Sequence, residues 1–164
     1  MGAFFALLIG VGVCFVVMCF SYKYYARLNF FLSMENLLNG MKVNISFLQK
    51  DILSILETNK SKRSATFDDL LDKYKQFLQD NDTDKFGKNI KSLNNLNSEE
   101  QEHMLQYFLT LGHSDCNTQT SATQVLTEYV AKRVECCRQD IKQKAMIIQK
   151  LSIIVGLAVF ILLV

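Results

Sequence analysis

The chain begins and ends in long apolar runs, and all its charged residues lie between them. Gly2 to Phe20 carries no charged side chain, and neither does Leu151 to Val164. The first run has the length of a membrane-crossing helix, whereas the second rises only about 21 Å of the ~30 Å hydrocarbon core. The pattern predicts transmembrane helices at 1–21 and 146–164. A cleaved signal peptide is the alternative for the first run, but a basic start and a small-residue cleavage site are missing.

Between these runs, apolar residues recur at helical spacing. The chain has no proline and seven glycines, a composition that favours helices throughout. We therefore expect an all-α protein, with a cytoplasmic helical bundle of about six helices at 22–145 flanked by an N-terminal and a C-terminal transmembrane helix. The clearest core-facing stripes are Phe67, Leu70, Leu71, Tyr74, Phe77 and Leu78, then Met104, Leu105, Phe108, Leu109 and Leu111, then Val125, Leu126, Tyr129, Val130 and Val134.

Turn and cap residues predict where these helices begin and end. Gly40 to Ser46 predicts a break, with Ser46 as the cap of the next helix, and Asp80 to Lys88 predicts a loop. Ser98 and Gln101 have the spacing of a capping box. The remaining predicted starts and turns are Thr66 as the first residue of a helix, Gly112 as a left-handed C-terminal cap, and Ser114 and Asp115 as capping residues before the final helix.

The charge pattern predicts how the chain is oriented across the membrane and which partners it excludes. The net charge of +2 is too small for a typical nucleic-acid binder, so no nucleic-acid partner is predicted. Both inner flanks of the apolar runs are basic, which places the middle of the chain in the cytoplasm and both termini outside. Those basic residues are Lys23 and Arg27 after the first run, and Arg138, Lys142, Lys144 and Lys150 around the start of the second.

Residues with catalytic or metal-binding chemistry are sparse. Asp80 to Asp84 begins like a calcium loop, but Lys85 replaces the required glycine and Lys91 replaces the required glutamate. His103 and His113 are too far apart for a paired zinc site. We therefore expect no enzymatic activity, no catalytic residue, no metal site and no cofactor.

Two sets of residues are candidates for contacts with other molecules. A basic cluster in a polar loop is either simply solvated or docks on an acidic partner surface; it consists of Lys60, Lys62 and Arg63. Small residues in the apolar runs allow close packing of membrane helices; they are Gly10, Gly12 and Gly156.

Two short motifs resemble the stage III sporulation protein AB family of endospore-forming bacteria. Leu111 to Asp115 with Gln119 is similar to the family's L-G-x-S-D-x-x-x-Q, and Leu151 to Leu157 is similar to its L-G-x-L-x-G-L tail. The resemblance covers the whole chain. Ser152 replaces the first glycine of the tail, and the proline that the family carries after its first cytoplasmic helix is missing.

The resemblance implies a function that the spacing of residues does not show. The family's cytoplasmic domain is similar to the inner-membrane platform protein of type II secretion and type IV pilus systems. Expected partners are a secretion-type ATPase, stage III sporulation protein AA, other stage III sporulation membrane proteins, and membrane lipid. The expected location is the mother-cell (outer forespore) membrane. A membrane-anchored helical adaptor or sensor that binds a soluble regulator is the alternative function.

Overall fold

The protein is all-helical over the residues that the structure describes, which are 2–43, 52–58, 63–111 and 116–163. The structure, a computed structural model, contains seven α-helices, one π-helical turn and no strand in these ranges, which confirms the all-α prediction. The elements in chain order are α1 (Gly2–Val43), α2 (Ile52–Thr58), α3 (Ala65–Asp80), α4 (Thr83–Lys91), α5 (Ser98–Thr110), α6 (Cys116–Asp140), the π-helical turn (Ile141–Ala145) and α7 (Met146–Leu163).

The chain divides into two compact units. The core unit comprises Asn29–Val134, and the terminal unit comprises Met1–Leu28 together with Glu135–Val164. Helices α1 and α6 therefore contribute residues to both units.

Aromatic side chains form the centre of the core unit. The ring of Tyr74 in α3 lies 4.6 Å from that of Phe108 in α5, and the rings of Phe77 and Phe86 stack at 4.9 Å. The Tyr74 hydroxyl donates a hydrogen bond of 2.9 Å to the carbonyl oxygen of Leu111, and burial raises the pKa of that hydroxyl well above its ordinary value. Three consecutive helices are thus joined through one buried aromatic cluster.

Helix α1 passes through Gly40 and continues to Val43, so the predicted break does not begin at Gly40. The buried side chains of Leu37, Leu38 and Met41 flank this glycine. Their burial outweighs the ~1 kcal/mol that glycine costs within a helix. The predicted cap Ser46 lies outside the described residues.

Two other predicted boundaries are wrong because a neighbouring side chain makes the cap. Ser64 caps α3, since its hydroxyl accepts a hydrogen bond of 3.3 Å from the amide of Phe67 and Thr66 already lies inside the helix. The segment Asp80 to Lys88 is not one loop. Asp82 accepts a 2.9 Å hydrogen bond from the amide of Lys85 and starts α4. The burial of Phe86 stabilises this short helix.

The apolar ends of the chain are helical, in α1 and α7. Over the described ranges, however, no helix combines the length and the apolar character needed to cross a membrane. The transmembrane helices predicted at 1–21 and 146–164 are therefore not supported by the structure.

Candidate partner-binding site

Helix α5 begins with a capping box that is displaced by one residue from the predicted pair Ser98 and Gln101. Asn97 is the cap: its side-chain oxygen accepts a 2.8 Å hydrogen bond from the amide of Glu100. In return, the amide of Asn97 donates a 2.9 Å hydrogen bond to Oε2 of Glu100. The predicted motif is therefore present, but with asparagine and glutamate in the two roles.

Glu100 also pairs with helix α6. Its second oxygen, Oε1, lies 2.8 Å from Nε of Arg133. This distance makes an ion pair, although the orientation at Nε is not that of a hydrogen bond. The Glu100 side chain is 0% exposed, whereas that of Arg133 is 24% exposed. One buried carboxylate thus both caps α5 and attaches α6 to it.

The Tyr129 ring lies against this ion pair, and the His103 ring packs against Tyr129. The guanidinium carbon of Arg133 lies 5.5 Å from the centre of the Tyr129 ring, and the His103 ring lies 4.3 Å from that ring. Burial alone would lower the pKa of Arg133, but the charge of Glu100 and the contact with Tyr129 raise it overall. The guanidinium therefore stays charged, and Tyr129 shields it in a cation–π arrangement.

An open groove of about 290 Å³ lies beside the ion pair, between α5 and α6. Val125 was expected to face the core, but it lines this groove and is 68% exposed. It is the only large apolar side chain exposed on the described part of α6. The other lining residues are His103, Gln106, Tyr107, Thr110, Ala122, Leu126 and Tyr129. A groove with an exposed apolar wall and polar edges suits a side chain of another protein.

Tyr107 forms the floor of the groove and joins three helices. Its hydroxyl donates a 3.1 Å hydrogen bond to the sulfur of Met41 in α1 and lies 3.3 Å from the hydroxyl of Thr123 in α6. Burial raises the pKa of Tyr107 to about 12 from the ordinary value of 10.0. The folded core unit therefore favours the neutral form of the Tyr107 side chain.

Stability is expected to fall in alkali because of Tyr107. Its pKa is higher in the folded chain than in the unfolded chain, so its contribution is complete below about pH 10 and is lost as the pH rises through about 12. Between about pH 9 and about pH 11, the wild type should lose about 1 kcal/mol more unfolding free energy than Tyr107→Phe. Urea denaturation at both pH values measures this difference. The exposed Tyr22 supplies the control: Tyr22→Phe should behave as wild type, and an equal effect of both substitutions would contradict the assignment.

A second, larger cavity of about 540 Å³ lies between α4 and α5, and Gln101 is one of its lining residues. The Gln101 amide nitrogen donates hydrogen bonds to the carbonyl oxygens of Lys91, Leu93 and Leu96, at 3.3, 3.1 and 3.4 Å. This side chain satisfies the backbone of the connection between the two helices. Gln101 thus both lines the cavity and holds the connection between α4 and α5.

Most residues of the predicted basic cluster and of the predicted turn before the final helix lie outside the described residues. Arg63 is exposed and immediately precedes the cap of α3. The other predicted residues lie outside the described residues; they are Lys60 and Lys62 of the basic cluster, and Gly112, Ser114 and Asp115 of the turn.

The predicted packing glycines lie in α1 and α7. Among the described residues, a Cβ atom added to Gly12 or Gly156 would meet no atom of another helix within 4 Å. Gly10 also lies in α1. Close packing of membrane helices at these three positions stays a prediction.

The sequence missed the ion pair and the groove. Asn97 and Glu100 have capping-box spacing, a signal that would have identified Glu100 as a first-turn residue. No local pattern relates Glu100 to Arg133, because helix periodicity says nothing about which helix packs against which. Within the described part of the chain, no three His, Cys, Asp or Glu side chains are grouped so as to hold a metal ion.

Fold and site together define a protein that is all-helical over its described residues and carries an open groove between α5 and α6, beside a buried ion pair. The chain belongs to the stage III sporulation protein AB family, whose family model matches residues 2–164. This membership confirms the resemblance seen in the two short motifs and is consistent with a role in sporulation. No curated protein and no solved structure matches the chain.

Proposed function

We propose that this protein is a non-enzymatic membrane component of the sporulation complex between mother cell and forespore. Its core unit acts in the cytoplasm as a platform between a secretion-type ATPase, stage III sporulation protein AA, and the other stage III membrane proteins. Family membership supports the sporulation setting. The membrane location rests on one observation: among the described side chains of the terminal unit, most large apolar ones are exposed, with Ile141 as an exception, while two serines are buried.

The described side chains of α1 in the terminal unit follow this arrangement. Val11, Phe15 and Tyr22 are 59%, 68% and 73% exposed, and their spacing puts them on one face of the helix. Ser21 lies off that face and is only 3% exposed. A helix in water has the reverse pattern, because burial of apolar surface is what stabilises it there.

The described side chains of α7 have the same arrangement, with apolar residues exposed and a serine buried. Ile153, Ile154 and Leu157 are 59%, 62% and 58% exposed, whereas Ser152 is 8% exposed and donates a 2.8 Å hydrogen bond to the carbonyl oxygen of Gln149. An outward surface of this kind favours lipid or apolar partner helices over water. The 18 residues of α7 rise about 27 Å, slightly less than the ~30 Å hydrocarbon core. We therefore propose that α7 lies in the membrane beside other helices.

The orientation follows from charge. The basic residues that flank the apolar runs favour the cytoplasmic face, so the core unit would lie in the mother-cell cytoplasm and both termini outside it. The ATPase would then meet the core unit in the compartment where nucleotide is available. Movement of the ATPase would pass along residues 116–163, which are helical throughout.

The groove between α5 and α6 is the proposed contact for the ATPase. Val125 offers an apolar wall, and the carboxylate of Glu99, which lies 4.0 Å from Nε2 of His103, gives one edge a negative charge. The matching surface is an apolar side chain flanked by basic groups. A few contacts in well-packed, desolvated pockets commonly dominate the affinity of a protein interface.

Val125→Glu is expected to lower recovery of the ATPase about tenfold or more, because a glutamate would have to lose its hydration in an apolar contact. The measurement is a pull-down of the full-length protein from the membrane fraction of sporulating cells, with quantification of the ATPase. Ala131→Glu is the matched control, since it adds the same charge to an exposed position of α6 outside the groove.

Recovery of the ATPase with Val125→Glu at the wild-type level would contradict the groove as the contact, as would an equal loss with both variants. Absence of the ATPase from the wild-type complex would contradict the platform function. In that case a vegetative growth defect on gene deletion would favour the alternative, a membrane-anchored adaptor or sensor for a soluble regulator. Loss of spores with normal growth is the result expected of the platform.

A further inference from the structure

Positive charge is concentrated in the terminal unit, where its apolar helices become polar. The sequence of this unit contains six basic and two acidic residues, a net charge of +4, whereas the whole chain carries only +2. The core unit is therefore net negative. The basic residues are Lys23, Arg27, Arg138, Lys142, Lys144 and Lys150, and the acidic residues are Glu135 and Asp140.

Four of these basic groups lie where the two chain segments of the terminal unit meet: Lys23 and Arg27 in α1, and Lys142 and Lys144 in the π-helical turn. Lys144, in the π-helical turn, interacts electrostatically with both Tyr24 and Arg27 of α1. It also pairs with Asp140 at 2.7 Å, and this hydrogen bond and the charge of Asp140 raise the pKa of Lys144. Lys142 is exposed in the same turn. Lys142 and Lys144 therefore belong to the same charged boundary as Arg27, and Lys23 precedes Arg27 by about one helical turn.

Tyrosines mark the same boundary. Tyr22 and Tyr25 are 73% and 40% exposed on either side of Lys23 in sequence. The outward apolar face of Val11 and Phe15 ends at Tyr22. Exposed tyrosines beside lysines, at the end of an apolar face, are typical of residues at the level of lipid headgroups.

We propose that this boundary, here called the headgroup surface, binds anionic phospholipids: Lys23, Arg27, Lys142 and Lys144 contact the phosphodiester groups while Tyr22 and Tyr25 lie among them. The inference rests on the membrane location proposed above and adds the lipid class. Charge complementarity favours an anionic bilayer, because a net charge of +4 adjoins an outward apolar face. A soluble polyanion would bind the cationic side chains but would not contact the tyrosines or the apolar face.

The test measures lipid selectivity around the full-length protein. The chain is reconstituted into phosphatidylcholine vesicles, and spin-labelled phosphatidylglycerol and phosphatidylcholine report how much of each lipid is immobilised beside it. Phosphatidylglycerol should associate about fivefold or more in preference to phosphatidylcholine. The triple variant Lys23→Gln, Lys142→Gln and Lys144→Gln should have almost no preference, and high salt should reduce the preference of the wild type.

A second triple variant controls for net charge. Lys88→Gln, Lys91→Gln and Lys132→Gln removes the same charge from exposed positions of the core unit and should keep the wild-type preference. Equal loss in both triple variants would overturn the headgroup surface. So would abolition of the preference by inorganic phosphate at the concentration of the lipid, which would indicate a simple anion site.

The inference and the proposed function fail in different ways. Immobilised lipid of both kinds without preference would overturn the headgroup surface and leave the membrane location standing. Absence of any immobilised lipid would overturn both, because the terminal unit would then not lie in the bilayer.

Discussion

Glu100→Ala is expected to lower the free energy of unfolding by about 3 kcal/mol. The substitution leaves the half-buried Arg133 without its counter-charge, and it also removes half of the capping box at the start of α5. The 24% exposure of Arg133 lets water stabilise part of the charge, which keeps the expected loss at the lower end for a buried pair. Urea denaturation of the full-length protein in neutral detergent, followed by circular dichroism, measures the loss.

Glu99→Ala is the matched control for this prediction. Glu99 precedes Glu100 in sequence and its side chain is 66% exposed, so its removal should cost less than about 0.5 kcal/mol. Glu100→Gln keeps the shape of the side chain without the charge and should fall between the two. Equal losses for Glu99→Ala and Glu100→Ala would show that the ion pair with Arg133 contributes nothing to stability.

Phe108→Ala is expected to cost about 3 to 5 kcal/mol, the largest effect of any single substitution proposed for this protein. The side chain is 0% exposed, and its ring lies 4.6 Å from that of Tyr74, 6.2 Å from that of Phe86 and 5.5 Å from that of Tyr107. Its removal opens a cavity where α3, α4 and α5 meet. Thermal or urea unfolding of the full-length protein in neutral detergent measures the loss.

Phe15→Ala makes the same chemical change on the outward face of the terminal unit. Phe15 is 68% exposed, so this variant should unfold like the wild type. It should instead be recovered less completely in the membrane fraction, because it removes apolar surface that would contact lipid. A large loss of stability with Phe15→Ala, or none with Phe108→Ala, would reverse the assignment of inner and outer surfaces.

Local sequence patterns predicted most of the helices correctly. The stripe from Phe67 to Phe77 predicted α3, and Phe67, Tyr74 and Phe77 are buried there as expected. The segment that becomes α4 was misread because its apolar pattern rests on Phe86 and Ile90 alone, within a sequence rich in Asn and Asp. In so short a helix, burial against neighbouring helices decides the structure, and that burial leaves no local signal.

The candidate site was less predictable than the helices. Periodicity placed Val125 with Leu126 and Val130 on one stripe, yet Leu126 and Val130 are 4% and 0% exposed and Val125 is 68% exposed. Where a stripe is wide, only the neighbouring helices decide which of its edges is covered. The open edge is the one that forms the groove.

The sequence by itself determined the all-α class, the uncharged ends and the basic flanks, because helical periodicity and charge are properties of neighbouring residues. Only the tertiary structure decided that Glu100 meets Arg133 across two helices, and that Ser21 and Ser152 are buried while most described large apolar residues of the terminal unit are exposed. These features depend on which surfaces pack together. The packing decides which side chains are buried, and burial in turn shifts their pKa values. No pattern along one helix contains that information.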